Sequence, residues 1–136
     1  MPERSASLFV YGTLLPGHGN HARIVEHVRQ IRPGTTQGIL LDLGAFPALV
    51  HGNGIVKGMV LDVDDEAIRI TDYIEGCHAD RSRSLYVREK VEVDIVDGNT
   101  MTAWTYFFSN PQRIKDQPKL TDGEVDGLTI FSWPPE

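Results

Sequence analysis

Short apolar runs of strand length alternate with turn residues along much of the chain. The runs are rich in Val, Ile, Phe and Tyr, which is typical of β-strands. Glycine-containing breaks at 44–45, 51–54 and 97–100 separate several of them, and the Asp-Gly pair in the last break favours a tight hairpin. We therefore predict strands of one mostly antiparallel sheet at residues 8–11, 35–44, 46–50, 54–63, 86–96 and 101–108.

Two segments have the periodicity of amphipathic helices. Residues 20–31 place Ile and Val on one face, with Asn20 as the cap and Pro33-Gly34 as the end. Residues 64–75 begin with Asp64 as the cap and end before Gly76. Residues 109–136 are rich in Pro, Gly and Asp and predict an irregular tail. The pattern favours an α+β domain and leaves open a sheet curled into a small barrel.

Composition and charge narrow the classes of protein. The chain has 136 residues and 40% hydrophobic residues, which predicts one globular domain over 1–136. Its net charge of −6 argues against a nucleic-acid partner. No window approaches the roughly 20 apolar residues of a membrane span, and no signal peptide is evident. The lone Cys77 fits a reducing compartment, so we expect a cytoplasmic protein, whose oligomeric state the sequence leaves open.

The stretch LFVYGTLLPG at residues 8–17 runs from a predicted strand into an apolar loop. Gly12 and Gly17 have the spacing of a phosphate-binding loop, but His18-Gly19 follow where Lys and Ser or Thr are needed. This argues against nucleotide binding. Two interpretations stay open: a plain connection, or a loop whose N–H groups bind an oxyanion or a carboxylate.

Metal and nucleophile chemistry find little support. The five histidines are scattered among unrelated elements, which favours solvated or loop histidines over metal ligands. No serine lies in a G-x-S-x-G motif, and no histidine partner for Cys77 is evident. We therefore predict neither a metal nor a cofactor.

Glu75 is the one residue that breaks a local rule. It lies in the last turn of the second predicted helix, where the helix dipole disfavours a carboxylate, and Asp72 lies three residues earlier. Both effects push the pKa of Glu75 upward, as a general acid/base requires. A solvated glutamate at a helix end is the alternative.

Three motifs in this order resemble the γ-glutamylcyclotransferase-like family, which includes γ-glutamylamine cyclotransferases and AIG2-like proteins. They are YGTL at 11–14, DYIEG at 72–76 and YVREKVEV at 86–93, and the segments FPALV at 46–50 and AWTY at 103–106 agree with them. The resemblance covers residues 7–110, the expected core. It implies a small mixed, mostly antiparallel β-barrel flanked by short helices, with a cavity at one end.

The resemblance also implies a site and a reaction. Tyr11, Gly12, Thr13 and Leu14 would bind the γ-glutamyl or 5-oxoproline group, Glu75 would be the acid/base, and Tyr86 would face the cavity. The enzyme would cyclise a small γ-glutamyl amide to 5-oxoproline, a lyase- or acyltransferase-type reaction in which the substrate's own amino group is the nucleophile. The alternative is a non-catalytic module that binds a small ligand in the same cavity. The polar stretch CHADRSRSL at 77–85 matches no family feature.

Overall fold

Five strands close into a barrel in the computed structural model, which describes residues 5–133. The described strands are β1 Ser5–Val10, β2 Val28–Asp42, β3 Pro47–Asp64, β4 Tyr86–Ile95, β5 Thr100–Phe108, β6 Thr121–Val125 and β7 Leu128–Phe131. The order around the barrel is β1-β5-β4-β2-β3, and β3 closes it by pairing with β1. The β1–β5 pairing is parallel and the other barrel pairings are antiparallel. The predicted α+β class and mixed, mostly antiparallel barrel are thus confirmed.

The barrel strands bury side chains on both faces. Leu8, Leu61 and Tyr106 belong to one buried cluster, whereas their neighbours in sequence, Phe9, Val60 and Phe107, belong to another. Successive strand residues point to opposite faces, so both faces of the wall are covered. This explains why segments such as 8–11 and 59–61 are continuous apolar runs rather than alternating ones.

The break at residues 51–54 is a bulge and not the turn that the sequence predicts. β3 runs through it without reversing, and the predicted strands 46–50 and 54–63 are one element. The register with β2 changes from Gln37↔Ile55 to Ile39↔Val50, so four residues of β3 face Gly38. The glycines signal an irregularity correctly, but an extra-residue bulge absorbs it.

The predicted helix over residues 20–31 is wrong. The segment forms two short 3-10 helices, Gly19–Arg23 and Val25–His27, and then enters β2. Val28 and Ile31 are β-branched and lie in β2, where they pair with Val63 and Leu61 of β3, whereas Ile24 and Val25 remain in the 3-10 region. Pro33 also lies inside β2. Among the described strands it pairs only with β3, so β2 has no strand partner on its other side at this residue and the missing N–H of proline is tolerated.

The helix predicted over residues 64–75 is confirmed as α1, Asp65–Ile74. The Asp64 carboxylate accepts a hydrogen bond from the Ala67 N–H at 3.0 Å and caps the helix. Glu75 is the last, half-helical residue, and Gly76 follows with a φ of 64°. The helix therefore ends where its glycine allows a left-handed turn.

The segment after Phe108 is ordered rather than irregular. Pro111–Ile114 forms a 3-10 helix, and β6 and β7 form a hairpin that adds to β3 through the pairs Ile55↔Ile130 and Val56↔Phe131. The buried side chains of Leu120 and Phe131 join the core. Residues 134–136, the end of the predicted tail, lie outside the described residues. In the part that is described, no helix combines the length and apolar character needed to cross a membrane.

Candidate active site

A cavity of about 130 Å³ lies where β1, the loop after it and the end of α1 meet. It is smaller than the roughly 300–1,000 Å³ of sites for drug-sized ligands, so it suits a small molecule. All six residues that the sequence predicts as site residues line it, which brings together three distant motifs. The lining residues are Phe9, Val10, Tyr11, Gly12, Thr13, Leu14, Asn20, Phe46, Pro47, Ile74, Glu75, Leu85, Tyr86 and Tyr106.

Tight turns and two side chains hold the loop after β1. The Leu15 N–H donates to the Gly12 carbonyl at 2.9 Å, which begins a series of such turns. The buried His21 lies with Nδ1 2.8 Å from the Leu14 carbonyl, so Nδ1 carries the proton and donates it. Asn20 donates from Nδ2 to the Thr13 hydroxyl oxygen at 2.8 Å. The segment that the sequence predicts as a helix therefore clamps this loop.

Gly12 permits close packing within the cavity wall. A Cβ atom at this position would lie 2.7 Å and 2.8 Å from two carbons of the Pro47 ring. Gly12 is not among the glycines of positive φ. The position thus requires glycine because of its neighbour and not because of its backbone angles.

Glu75 contributes a carboxyl group to an otherwise uncharged wall. It is half-buried, and burial raises its pKa from 4.5 to about 7. The direction agrees with the sequence-based expectation, but the cause is desolvation rather than the helix dipole or Asp72. Near neutral pH this carboxyl group is present in both protonation states.

The Asp72 carboxylate is compensated by an ion pair and a hydrogen bond. Arg88 on β4 donates from Nε and Nη2 to the two Asp72 oxygens at 2.9 and 3.2 Å. The Tyr106 hydroxyl donates to the same carboxylate at 2.6 Å. This network ties the last turn of α1 to β4 and β5, and it fixes the helix end that carries Glu75.

Three tyrosines line the cavity with their hydroxyl protons committed to protein acceptors. Tyr11 donates to the Tyr106 carbonyl at 2.6 Å, Tyr86 donates to the Pro47 carbonyl at 2.8 Å, and Tyr106 donates to Asp72. Burial raises the pKa of all three phenols, so they remain neutral. Tyr86 lines the cavity and contributes its ring to the wall.

The stretch 77–85 closes one side of the cavity through its last residue, Leu85. The Leu85 N–H donates to the Gly76 carbonyl at 2.9 Å, and the Ser109 N–H donates to the Leu85 carbonyl at 2.9 Å. Inside the stretch, the Ser84 hydroxyl accepts from the His78 N–H at 2.7 Å. These bonds give the stretch a defined shape next to Glu75.

The histidines are not all solvated or loop residues, contrary to the sequence-based interpretation. His21 is buried in the loop clamp, and His27 lies with Nδ1 2.9 Å from Asp64. Over residues 5–133, no three His, Cys, Asp or Glu side chains are grouped so that they could hold a metal ion.

Several lining residues carry no sequence signal for a site. Asn20 is predicted as a helix cap, and Pro47 and Tyr106 are predicted in strands without a role at the site. Asn20 follows the YGTL loop by only a few residues, which is the one sequence signal that could have suggested a contact with it.

The structure defines an α+β barrel protein with a small cavity and a half-buried carboxyl group in the cavity wall. Residues 8–126 match the family model described as "Gamma-glutamyl cyclotransferase, AIG2-like". The chain therefore belongs to the γ-glutamyl cyclotransferase, AIG2-like family.

Relatives and a solved structure agree with this assignment. The γ-L-glutamyl-butirosin B γ-glutamyl cyclotransferase of Niallia circulans is 32% identical over 76% of this chain and 67% of its own. A putative γ-glutamylcyclotransferase of Vibrio cholerae is 32% identical over 79% of this chain and 85% of its own. The crystal structure of an AIG2-like protein from Mus musculus superposes with a TM-score of 0.72 at 26% identity, over 98% of both chains.

Proposed function

We propose that this protein cyclises a γ-glutamyl amide to 5-oxoproline and releases the free amine, with Glu75 as the general acid/base. The observation that carries this proposal is the half-buried carboxyl group of Glu75, with its pKa of about 7, in the wall of a small cavity. The two bacterial relatives named as γ-glutamyl cyclotransferases support the type of reaction.

The reaction needs little from the protein because the substrate carries its own nucleophile. The α-amino nitrogen attacks the γ-carbonyl carbon, a five-membered ring forms, and the bond to the leaving nitrogen breaks. Holding the chain folded for this attack can supply about 7–11 kcal/mol of the barrier. The small, mostly apolar cavity is suited to holding such a folded substrate.

Proton transfer is the chemical task that remains. The α-ammonium group must lose a proton before it attacks, and the leaving nitrogen must gain one. A carboxyl group with a pKa near 7 can accept the first proton and donate the second. The three phenols of the lining already donate to protein acceptors, which favours Glu75 for this role.

Neutral donors of the loop are the candidates for binding the substrate's oxygens. Within residues 5–133, no hydrogen bond uses the N–H groups of Gly12, Thr13 or Leu14, and these residues line the cavity. Backbone N–H groups that are already oriented can stabilise the developing oxyanion or the α-carboxylate. We assign substrate binding to these three residues, with the rings of Tyr11 and Tyr86 as walls.

A substrate panel tests the proposal. The protein is incubated with γ-glutamyl amines, γ-glutamyl-lysine and γ-glutamyl amino acids, and 5-oxoproline is measured. We expect product from at least one class. Binding of these compounds without product from any of them would favour the non-catalytic module.

A further inference from the structure

The charges in the cavity leave one part of a γ-glutamyl substrate without an ionic partner. Among the described lining residues, Glu75 is the only ionisable group other than the tyrosines, and no Lys, Arg or His is present. If Glu75 exchanges protons with the α-amino group, the substrate's α-carboxylate must be held by neutral donors. Besides the loop N–H groups, the neutral side-chain donors of the lining are therefore the candidates for recognising that carboxylate.

Thr13 is the side chain best placed for this task. Its hydroxyl oxygen accepts the Asn20 Nδ2–H at 2.8 Å, and no protein acceptor within residues 5–133 takes its own proton. A hydroxyl that accepts from one side directs its proton away from that donor. Thr13 and Asn20 both line the cavity, so the proton is available to a ligand there.

Building on the proposed function, we propose that Asn20 is a positioning residue that orients the Thr13 hydroxyl as a donor to the substrate's α-carboxylate. Asn20 acts through Thr13, and Thr13 contacts the ligand. The pair selects substrates and products that carry this carboxylate. The same hydrogen bond joins the loop after β1 to the 3-10 helix Gly19–Arg23.

Two ligands isolate the carboxylate. 5-Oxoproline carries it, and 5-oxoprolinamide replaces it with a neutral amide while keeping the ring. The measured quantity is the ratio of their dissociation constants by calorimetric titration, which cancels a general loosening of the loop. We expect Thr13→Val and Asn20→Ala each to reduce the preference for 5-oxoproline about tenfold or more, as loss of a hydrogen bond to a charged group does.

Further variants separate positioning from simple packing. The double variant Thr13→Val/Asn20→Ala should lose no more of the preference than Thr13→Val alone, since both changes remove the same donor. Thr13→Ser keeps the hydroxyl and should retain the preference. Asn20→Asp can only accept, so it should turn the Thr13 proton away from the ligand. Asn110→Ala, which removes an exposed asparagine without a side-chain cap bond, is the matched control.

The outcomes are distinct from those of the proposed function. A wild-type preference in Asn20→Ala, or losses that multiply in the double variant, would overturn the positioning role. Failure of the wild-type protein to bind 5-oxoproline in preference to 5-oxoprolinamide would also overturn it, whereas the proposed function is decided by the substrate panel. Binding with the expected changes in ratio, but without turnover of any γ-glutamyl amide, would overturn the proposed function and leave the role of Asn20 standing.

Discussion

At the scale of single residues, the surroundings of Glu75 set the pKa of its carboxyl group. A solvated glutamate is ionised throughout the physiological range. Here the side chain shares a wall with Ile74, Leu85 and the ring of Tyr86, and burial brings its pKa to about 7. The folded protein therefore bears a cost for ionising this group that the unfolded chain does not.

That cost predicts a pH-dependent loss of stability. The pKa of Glu75 is higher in the folded state, so its contribution is fully present below pH 4.5 and is lost as the pH rises through about 7. Glu75→Gln cannot ionise. As the pH rises from 4.5 to 8, we expect the unfolding free energy of Glu75→Gln to increase relative to that of the wild type, by up to about 3 kcal/mol. Urea unfolding of both proteins across this range measures the difference, and a difference that does not change with pH would contradict the shifted pKa.

Gly12 gives a second residue-scale prediction, based on its contact with the Pro47 ring. Gly12→Ala should lower the free energy of unfolding by about 1–3 kcal/mol through overpacking, and it should also weaken ligand binding because both residues line the cavity. Adding Pro47→Ala removes the ring atoms and should restore part of the stability. Gly19→Ala, with open space around its Cβ position, is the control. Thermal melts that show no recovery in the double variant would mean that the contact is not the cause.

At the scale of elements, α1 is held at both ends. Asp64 caps its first turn, and the Asp72–Arg88 ion pair ties its last turn to β4. Asp72 and Arg88 belong to the two motifs DYIEG and YVREKVEV, so the ion pair joins them directly. We therefore expect the position of Glu75 to depend on this link.

Breaking the link should therefore affect both stability and turnover. Arg88→Met leaves the half-buried Asp72 with the Tyr106 hydroxyl alone, which should cost about 1–2 kcal/mol of unfolding free energy. If the end of α1 shifts, kcat should fall about tenfold to a hundredfold. Arg88 and Lys90 both lie over the Trp104 ring, but Lys90 is exposed. Lys90→Met is therefore a matched control. Equal effects of the two substitutions on kcat would show that the ion pair does not position Glu75.

Turn and cap residues correctly predicted the elements that they begin or end. The β4–β5 hairpin follows from its Asp-Gly turn, and α1 follows from its Asp64 cap and Gly76. The helix prediction for residues 20–31 was wrong because the second half of the segment, from Val28 on, pairs with β3 as a strand. The prediction of an irregular tail was wrong because β7 is stabilised by pairing with β3, and no local sequence pattern reveals that pairing.

The candidate site was predictable in its motifs and not in its contacts. The YGTL loop and Glu75 could be named from the sequence, and they line one cavity. The hydrogen bond of Asn20 to Thr13 and the ion pair of Asp72 with Arg88 join residues on different elements. Such contacts depend on the folded arrangement, and for that reason Asp72 was wrongly taken as a charge acting on Glu75.

At the scale of the whole molecule, the barrel supplies the cavity wall, whereas the described C-terminal hairpin lies away from the lining. The cavity lining comes from β1, the start of β3, β4, β5, α1, the 3-10 helix Gly19–Arg23 and the loops around them, and it includes no described residue after Tyr106. The β6–β7 hairpin instead extends the sheet at β3. Phe131 packs against Gly54, where an added Cβ would lie 2.5 Å from its ring.

The hairpin should therefore support stability and not ligand binding. Phe131 is 2% exposed, so Phe131→Ala should lower the free energy of unfolding by about 3–5 kcal/mol. The affinity of the folded protein for 5-oxoproline should stay within about twofold of the wild type. Leu128→Ala changes a side chain of the same strand that is 42% exposed, and it should have little effect. A loss of affinity in a Phe131→Ala protein that is still folded would show that the hairpin contributes to the site.

The most direct test of the account is 5-oxoproline formation from a γ-glutamyl amide by the wild type and by Glu75→Gln. The amide keeps the size of the side chain but cannot carry the proton, so we expect turnover to fall by about a hundredfold or more while 5-oxoproline still binds. Glu124→Gln, a change at an exposed glutamate on β6, should keep wild-type turnover. Near wild-type turnover by Glu75→Gln would contradict the assignment of Glu75 as the acid/base.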